Sequence, residues 1–167
     1  NRYFGNAALD YKINDWLNVL GRFTYDTYSE LQEERTNVGS ANVSKYSRYN
    51  NNIAEYNYDL ILSFNKDLTD KIDLDGNIGF NLRRNDNSSV LASTNGGLNL
   101  ASLYSLSNTF SPLEAPVEYE DVQKVDAIYA RAGLGYNDFA FIEGTYRVDR
   151  HSALPKAHNT YDYWSVT

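Results

Sequence analysis

Along most of the chain apolar side chains recur at every second position, the period of a strand with one face in apolar surroundings, and not at the three-to-four spacing of an amphipathic helix. Tyr3, Gly5, Ala7, Leu9, Tyr11 and Ile13 share one face of a first strand, with Arg2, Asn6, Asp10 and Lys12 on the other, and Asn14-Asp15 signals a tight turn. The return strand, 16–28, sets Leu17, Val19, Gly21, Phe23 and Tyr25 against Asn18, Arg22, Thr24 and Asp26. From 29 to 51 the period dissolves into polar residues, which predicts a long loop. A third strand alternates Tyr56, Tyr58, Leu60, Leu62 and Phe64 with Glu55, Asn57, Asp59 and Ser63, and a polar link at 65–71 leads to a fourth. That strand opposes Ile72, Leu74, Gly76, Ile78, Phe80 and Leu82 to Asp73, Asp75, Asn77, Asn81 and Arg83. A second long connection is expected over 85–122. A fifth strand over 123–136 turns tightly at Asn137-Asp138 into a sixth over 139–149, and after a third polar loop, 150–160, a seventh opens at Tyr161.

The connections therefore alternate short and long, which puts every tight turn at one end of the sheet and every long loop at the other. Outer-membrane barrels have this asymmetry, with short periplasmic turns and longer extracellular loops. Strands of about 11 to 13 residues, tilted near 40°, rise about 30 Å, enough to cross the hydrocarbon core. A mid-depth charge on the lipid side costs up to a few kcal/mol, so the Ile/Leu/Phe face points outward and the Asp/Asn/Arg face inward. Tyr11, Trp16, Phe64, Tyr136 and Phe139 beside the tight turns, and Tyr25, Tyr56 and Tyr146 toward the loops, fall where interfacial girdles belong. A soluble antiparallel sandwich alternates too, so a soluble extracellular carbohydrate-binding β-sandwich and a small complete eight-stranded barrel stay open on the pattern alone.

Composition narrows the chemistry. The 167 residues contain no Cys, no Met and 2 His, which excludes a disulfide scaffold, a thiolate metal site and a cysteine nucleophile. The net charge of −7 argues against nucleic acid as a partner. No stretch approaches the ~20 apolar residues of a spanning helix. Tyrosine, at 15 residues, is the conspicuous excess. The pair Asp73/Asp75 has the residue types of a glycosidase centre but sits on the regular polar face of a strand, so no enzyme activity and no cofactor are expected. With no initiating Met, residue 1 is expected to follow either a removed leader or a longer preceding chain.

Beyond the period, particular residues carry a likeness. Arg2-Tyr3-Phe4-Gly5-Asn6 with Leu9-Asp10-Tyr11, Glu33-Glu34-Arg35 with Val38-Gly39-Ser40, Tyr56-Asn57-Tyr58-Asp59-Leu60, and Asn81-Leu82-Arg83-Arg84 come first. Ala92-Ser93-Thr94-Asn95-Gly96-Gly97-Leu98, Leu103-Tyr104-Ser105-Leu106-Ser107-Asn108, Arg147-Val148-Asp149 and Leu154-Pro155 follow in order. In these the chain resembles a segment of the SusC/RagA-like TonB-dependent outer-membrane transporters, over nearly its whole length. It departs from the family pattern at Trp164, where Pro is usual, and at Arg150-His151, where small residues are usual.

The resemblance implies an all-β fold: residues 1–167 are about seven antiparallel strands of a transmembrane barrel of about 22, without plug domain, signal peptide or C-terminal strand. It implies a location in the Gram-negative outer membrane, in contact with lipid. The implied function is import of oligosaccharides or peptides, energised by the TonB complex through the absent plug and shared with a SusD-like surface lipoprotein. The candidate lumen- or ligand-facing residues are Arg22, Asp26, Asn57, Asp59, Asn81, Arg83, Glu143, Arg147 and Asp149 on the inward face. Asn95, Gly96, Gly97 and Tyr104 join them in the second long connection, with Tyr104 a possible stacking surface for a sugar. The plainer alternative for each is a solvated, salt-bridged or purely conformational role.

Overall fold

The structure, a computed structural model, describes residues 1–137 and 139–167; Asp138, assigned above to a tight turn, lies outside the described residues. The strands are β1 (Arg2–Asn14), β2 (Leu17–Thr36), β3 (Lys45–Thr69), β4 (Ile72–Ser93), β5 (Asn95–Leu98), β6 (Thr109–Ser111), β7 (Val117–Tyr136), β8 (Ala140–His151) and β9 (Thr160–Val166), with a 3-10 turn at Lys156–His158. Seven form one sheet in the order β1-β2-β3-β4-β7-β8-β9, while β5 and β6 pair separately. Neighbours in the sheet are joined in chain order apart from the β5-β6 excursion, as an up-and-down wall requires. The β7/β8 register runs without a slip from Tyr136↔Ala140 to Val125↔His151. No helix among the described residues is long and apolar enough to cross a membrane, which says nothing about crossing by strands.

All seven predicted strands are present, and the tight and long connections alternate as expected. The strands are longer than the sequence pattern indicates: β2 has 20 residues, β3 25, β4 22 and β7 20. The loop expected over 29–51 shrinks to 37–44, because β2 continues to Thr36 and β3 starts at Lys45. Likewise the connection expected over 85–122 is strand at both ends, β4 running to Ser93 and β7 starting at Val117, and contains β5 and β6. The physical reason is that alternation reports a difference between two faces. Where both faces of a hairpin meet water, as in Glu30-Leu31-Gln32-Glu33-Glu34, backbone pairing persists without the signal.

The residues divide into two compact units. The loop-side unit comprises 1–3, 27–54 and 86–122, and the turn-side unit comprises 4–26, 55–85 and 123–167. In the turn-side unit the tight turns are held by backbone bonds, Asn65 N–H to the Trp16 carbonyl at 2.9 Å and Asn137 N–H to that of Lys71 at 2.7 Å. The 12 residues of β8, at about 3.3 Å each, extend about 40 Å.

The turn-side unit has almost no core. Ala127 is its one buried apolar residue among those described, while Ile78 is 50% exposed, Ile128 54%, Ile142 56% and Trp164 74%. Burying a single Ile or Phe is worth about 1.5–3 kcal/mol, so a row of them facing water would be a severe liability. The face is stable only against an apolar medium or partner. On it Phe23 stacks on Tyr58 with ring centroids 4.9 Å apart, and Tyr25 on Tyr56 at 5.0 Å. Trp16, beside the first tight turn, has the Lys66 ammonium 5.0 Å from its ring centroid, an amphipathic pairing suited to a membrane interface.

Candidate functional site

The opposite face of the turn-side unit is a wall of mutually satisfied polar groups. Arg22 on β2 donates to Asp59 on β3 through Nε at 2.9 Å and reaches it through Nη2 at 2.8 Å. Asn81 on β4 donates from Nδ2 to Asp59 Oδ1 at 2.6 Å and to Asn57 Oδ1 at 3.0 Å, and Asn57 donates to Asp59 Oδ2 at 3.3 Å. Of the candidate residues, Arg22, Asn57, Asp59 and Asn81 thus form one network around a carboxylate whose side chain is 7% exposed. On the same side Arg83 lies 3.9 Å from Glu55, and Asp26 lies farther along β2 on the face of Arg22.

A second network crosses β4, β7 and β8. Arg131 is bonded to Asp75 through Nη1, and to Glu143 through Nε at 2.8 Å and Nη2 at 2.6 Å. Asp75, one half of the glycosidase-like pair, is therefore tied to an arginine as a wall element. Farther along β8, Arg147 donates from Nε to Asp149 Oδ1 at 2.7 Å and lies over the Tyr129 ring, 5.7 Å from its centroid. Tyr129 in turn lies on Gly79 of β4: a Cβ added there would come within 2.0 Å of the ring. The strand alternation places Arg131 and Tyr129 on this face, but neither they nor Gly79 were among the candidate residues. A glycine within a strand marks a close approach, and that signal was present at Gly79.

The loop-side unit holds the other candidates. Tyr46, 4% exposed, exchanges backbone bonds with Thr94, whose N–H donates to the Tyr46 carbonyl at 2.9 Å and whose Oγ1 accepts from Tyr46 N–H at 3.0 Å. The Tyr46 hydroxyl donates to Glu33, which also accepts from Arg35 Nη2 at 2.7 Å. These donors hold the Glu33 carboxyl below its ordinary pKa, the tyrosine first and Arg35 next, and the same hydrogen bond pushes the Tyr46 hydroxyl up. Tyr104 completes the cluster, with Arg35 5.4 Å from its ring centroid and the Tyr46 ring at 6.4 Å. The Arg35 guanidinium lies over the ring on which a sugar was expected to stack.

Asn95, Gly96 and Gly97 sit in the β5-β6 hairpin. Asn95 donates from its backbone to Thr109 Oγ1 at 2.9 Å and from Nδ2 to the Pro112 carbonyl at 3.1 Å. Gly96 and Gly97 have φ of +71° and +108°, which L side chains rarely adopt, so their conformational role is real. Leu98 N–H donates to Ser44 Oγ at 2.9 Å, and Asn108 clamps the connection from within by donating to the Leu100 and Leu103 carbonyls at 2.8 and 2.6 Å. The long connection is a folded, pinned element. The structure brings Tyr104 together with Glu33, Arg35 and Tyr46, none of which was a sequence candidate.

No protein-family model matches the sequence, and no curated protein does either. Solved structures do. The structure of the RagAB peptide transporter matches 99% of this chain with a TM-score of 0.83 at 14% identity. The chain has the fold of a barrel-wall segment of that transporter. It spans 20% of the length of the matched chain. The RagAB peptide importer in its closed-closed and open-open states matches with TM-scores of 0.82 and 0.77, again at 14% identity and with the same coverage. At that identity the likeness is one of backbone: an all-β antiparallel wall, matched along its length.

Proposed function

We propose that these residues belong to the β-barrel domain of an outer-membrane active transporter that imports peptides, with oligosaccharides as the alternative cargo. Energy comes from the TonB complex acting through a plug domain, and a SusD-like surface lipoprotein shares ligand capture. The observation that carries this reading is the division of the turn-side unit into two faces. One is apolar and uncovered, Ile78, Ile128 and Ile142 among its members; the other is polar and internally paired. Such a sheet suits lipid on one side and a water-filled or plugged lumen on the other. Peptide is preferred because the similar solved structures are of a peptide transporter and importer.

In this reading Arg22, Asp26, Asn57, Asp59, Asn81, Arg83, Glu143, Arg147 and Asp149 face the lumen, and the connection bearing Asn95, Gly96, Gly97 and Tyr104 faces the lipoprotein. A soluble sandwich is disfavoured: it needs a second sheet over the apolar face, and the only other sheet among the described residues is the short β5-β6 pair. A complete eight-stranded barrel is disfavoured because β1 and β9 are not paired with each other. The test is uptake of a labelled oligopeptide mixture by cells making the complete protein, with and without a functional TonB complex. Uptake that requires both supports the proposal; uptake indifferent to the TonB complex, or recovery of the protein from the soluble fraction, contradicts it.

A further inference from the structure

The arginines of the wall differ in how many nitrogens they have left to offer. Arg22 spends Nε and Nη2 on Asp59; Arg131 spends Nη1 on Asp75 and Nε and Nη2 on Glu143; Arg150 spends Nε and Nη2 on Asp126. Arg147 makes its one side-chain hydrogen bond from Nε, to Asp149, and among the described residues neither Nη atom makes a hydrogen bond. It is nonetheless held in place. Asp149 fixes one edge of the guanidinium, the Tyr129 ring lies against its face at 5.7 Å, and Tyr129 is itself seated on Gly79. The side chain is 44% exposed, so the free edge is open to the polar side of the sheet. Arg83, by contrast, has a single contact at 3.9 Å.

A guanidinium held on one edge and one face, with its two Nη groups free, offers two parallel N–H donors in the geometry that a carboxylate accepts. We infer that Arg147 is an anchor for a carboxylate of the transported peptide. The inference rests on the reading that this face lines the import path. Because Asp149 neutralises the arginine, long-range attraction is weak, and recognition comes from the two short-range hydrogen bonds. Pre-positioning by Asp149 and Tyr129 reduces the ordering cost that a free arginine would incur on binding. The carboxylate is either the C-terminus of the peptide or an acidic side chain, chemically equivalent ligands for this edge.

The experiment uses the complete protein, purified in detergent, and three labelled hexapeptides: one without acidic side chains and with a free C-terminus, its C-terminal amide, and the amide carrying one Glu. The wild type is expected to bind the free acid about tenfold more tightly than the plain amide, the scale of a charge-assisted hydrogen-bonded pair. Arg147→Gln and Arg147→Lys should lose that preference while their affinity for the amide stays put, with barrel integrity verified by heat-dependent gel mobility. If the Glu-bearing amide regains the tight binding, an acidic side chain serves equally; if it does not, the terminus is the ligand, and both results support the anchor. Equal affinity of the wild type for acid and amide, or a preference that survives in Arg147→Gln, overturns it. A wild type that binds none of the peptides removes the peptide-import reading itself, and the anchor with it.

Discussion

Arg22 and Asp59, on adjacent strands, meet through two guanidinium nitrogens at 2.9 and 2.8 Å, and the carboxylate they share with Asn57 and Asn81 is all but sealed from solvent. Removing the arginine leaves a desolvated carboxylate with amide donors only. Arg22→Ala is expected to cost about 1–2 kcal/mol of barrel stability. Since Arg22 is itself about half exposed, its coupling to Asp59 in a double-mutant cycle with Asp59→Asn should be near 1 kcal/mol. Equilibrium unfolding in detergent measures both quantities; a coupling indistinguishable from zero would remove this pair from the forces that hold the wall.

Gly79 and Tyr129 make a different kind of joint, in which the absence of a side chain on one strand makes room for a ring on the next. Gly79→Val should displace Tyr129, uncover Arg147 and destabilise the fold by about 1–3 kcal/mol, the usual cost of overpacking. With Tyr129→Ala already present the same valine should cost much less. Additive effects of the two substitutions would contradict the joint.

The Glu33–Tyr46 bond makes the pinned connection sensitive to pH in both directions. Glu33 has its pKa lowered from 4.5 in the fold, so its contribution is complete above about that pH and fades as pH falls through the lower folded value. Tyr46 has its pKa raised from 10.0, so its contribution is complete below that value and fades as pH rises through the higher folded one. A dye on Leu100→Cys, exposed in the connection, should show constant anisotropy between the two limits and increased motion beyond each. In Tyr46→Phe the connection should already be loosened at neutral pH, with both transitions diminished.

The sequence disclosed those parts of the fold where the two faces of a strand differ. Ile72 to Arg83 alternates cleanly because its two faces differ in polarity, and β4 is found there. Glu30 to Arg35 belongs to a strand as surely, but both of its faces are polar, so its pairing left no periodic trace. The candidate site divides in the same way. Parity put Arg22, Asn57, Asp59 and Asn81 on the polar faces of their strands, because successive side chains point to opposite faces. What parity does not contain is partner choice: that Tyr129 rather than Arg131 sits beneath Arg147 depends on how β7 registers with β8. Tyr46, Glu33 and Arg35 stayed hidden because their meeting with Tyr104 follows from the folding back of the second long connection, which has no period to read.

If the apolar face meets hydrocarbon, charge placed there is expensive and charge on the other face is not. Ile78→Arg is expected to cost about 2–4 kcal/mol in lipid vesicles, the penalty for a charge near the bilayer midplane. Asn77→Arg, one position away and on the polar face, should change stability by less than about 1 kcal/mol. Similar costs at both positions would contradict the assignment of faces.

The most direct measurement uses the absence of cysteine from these residues. Single substitutions Asn77→Cys and Ile78→Cys in the complete protein, labelled with a small fluorophore and reconstituted into vesicles containing brominated acyl chains, report the surroundings of two adjacent side chains on β4. Strong quenching at 78 with little at 77, and labelling by a membrane-impermeant maleimide at 77 but not at 78, is the predicted result. Equal access of the aqueous reagent to both positions, without quenching by lipid, would show that this sheet is not a membrane wall.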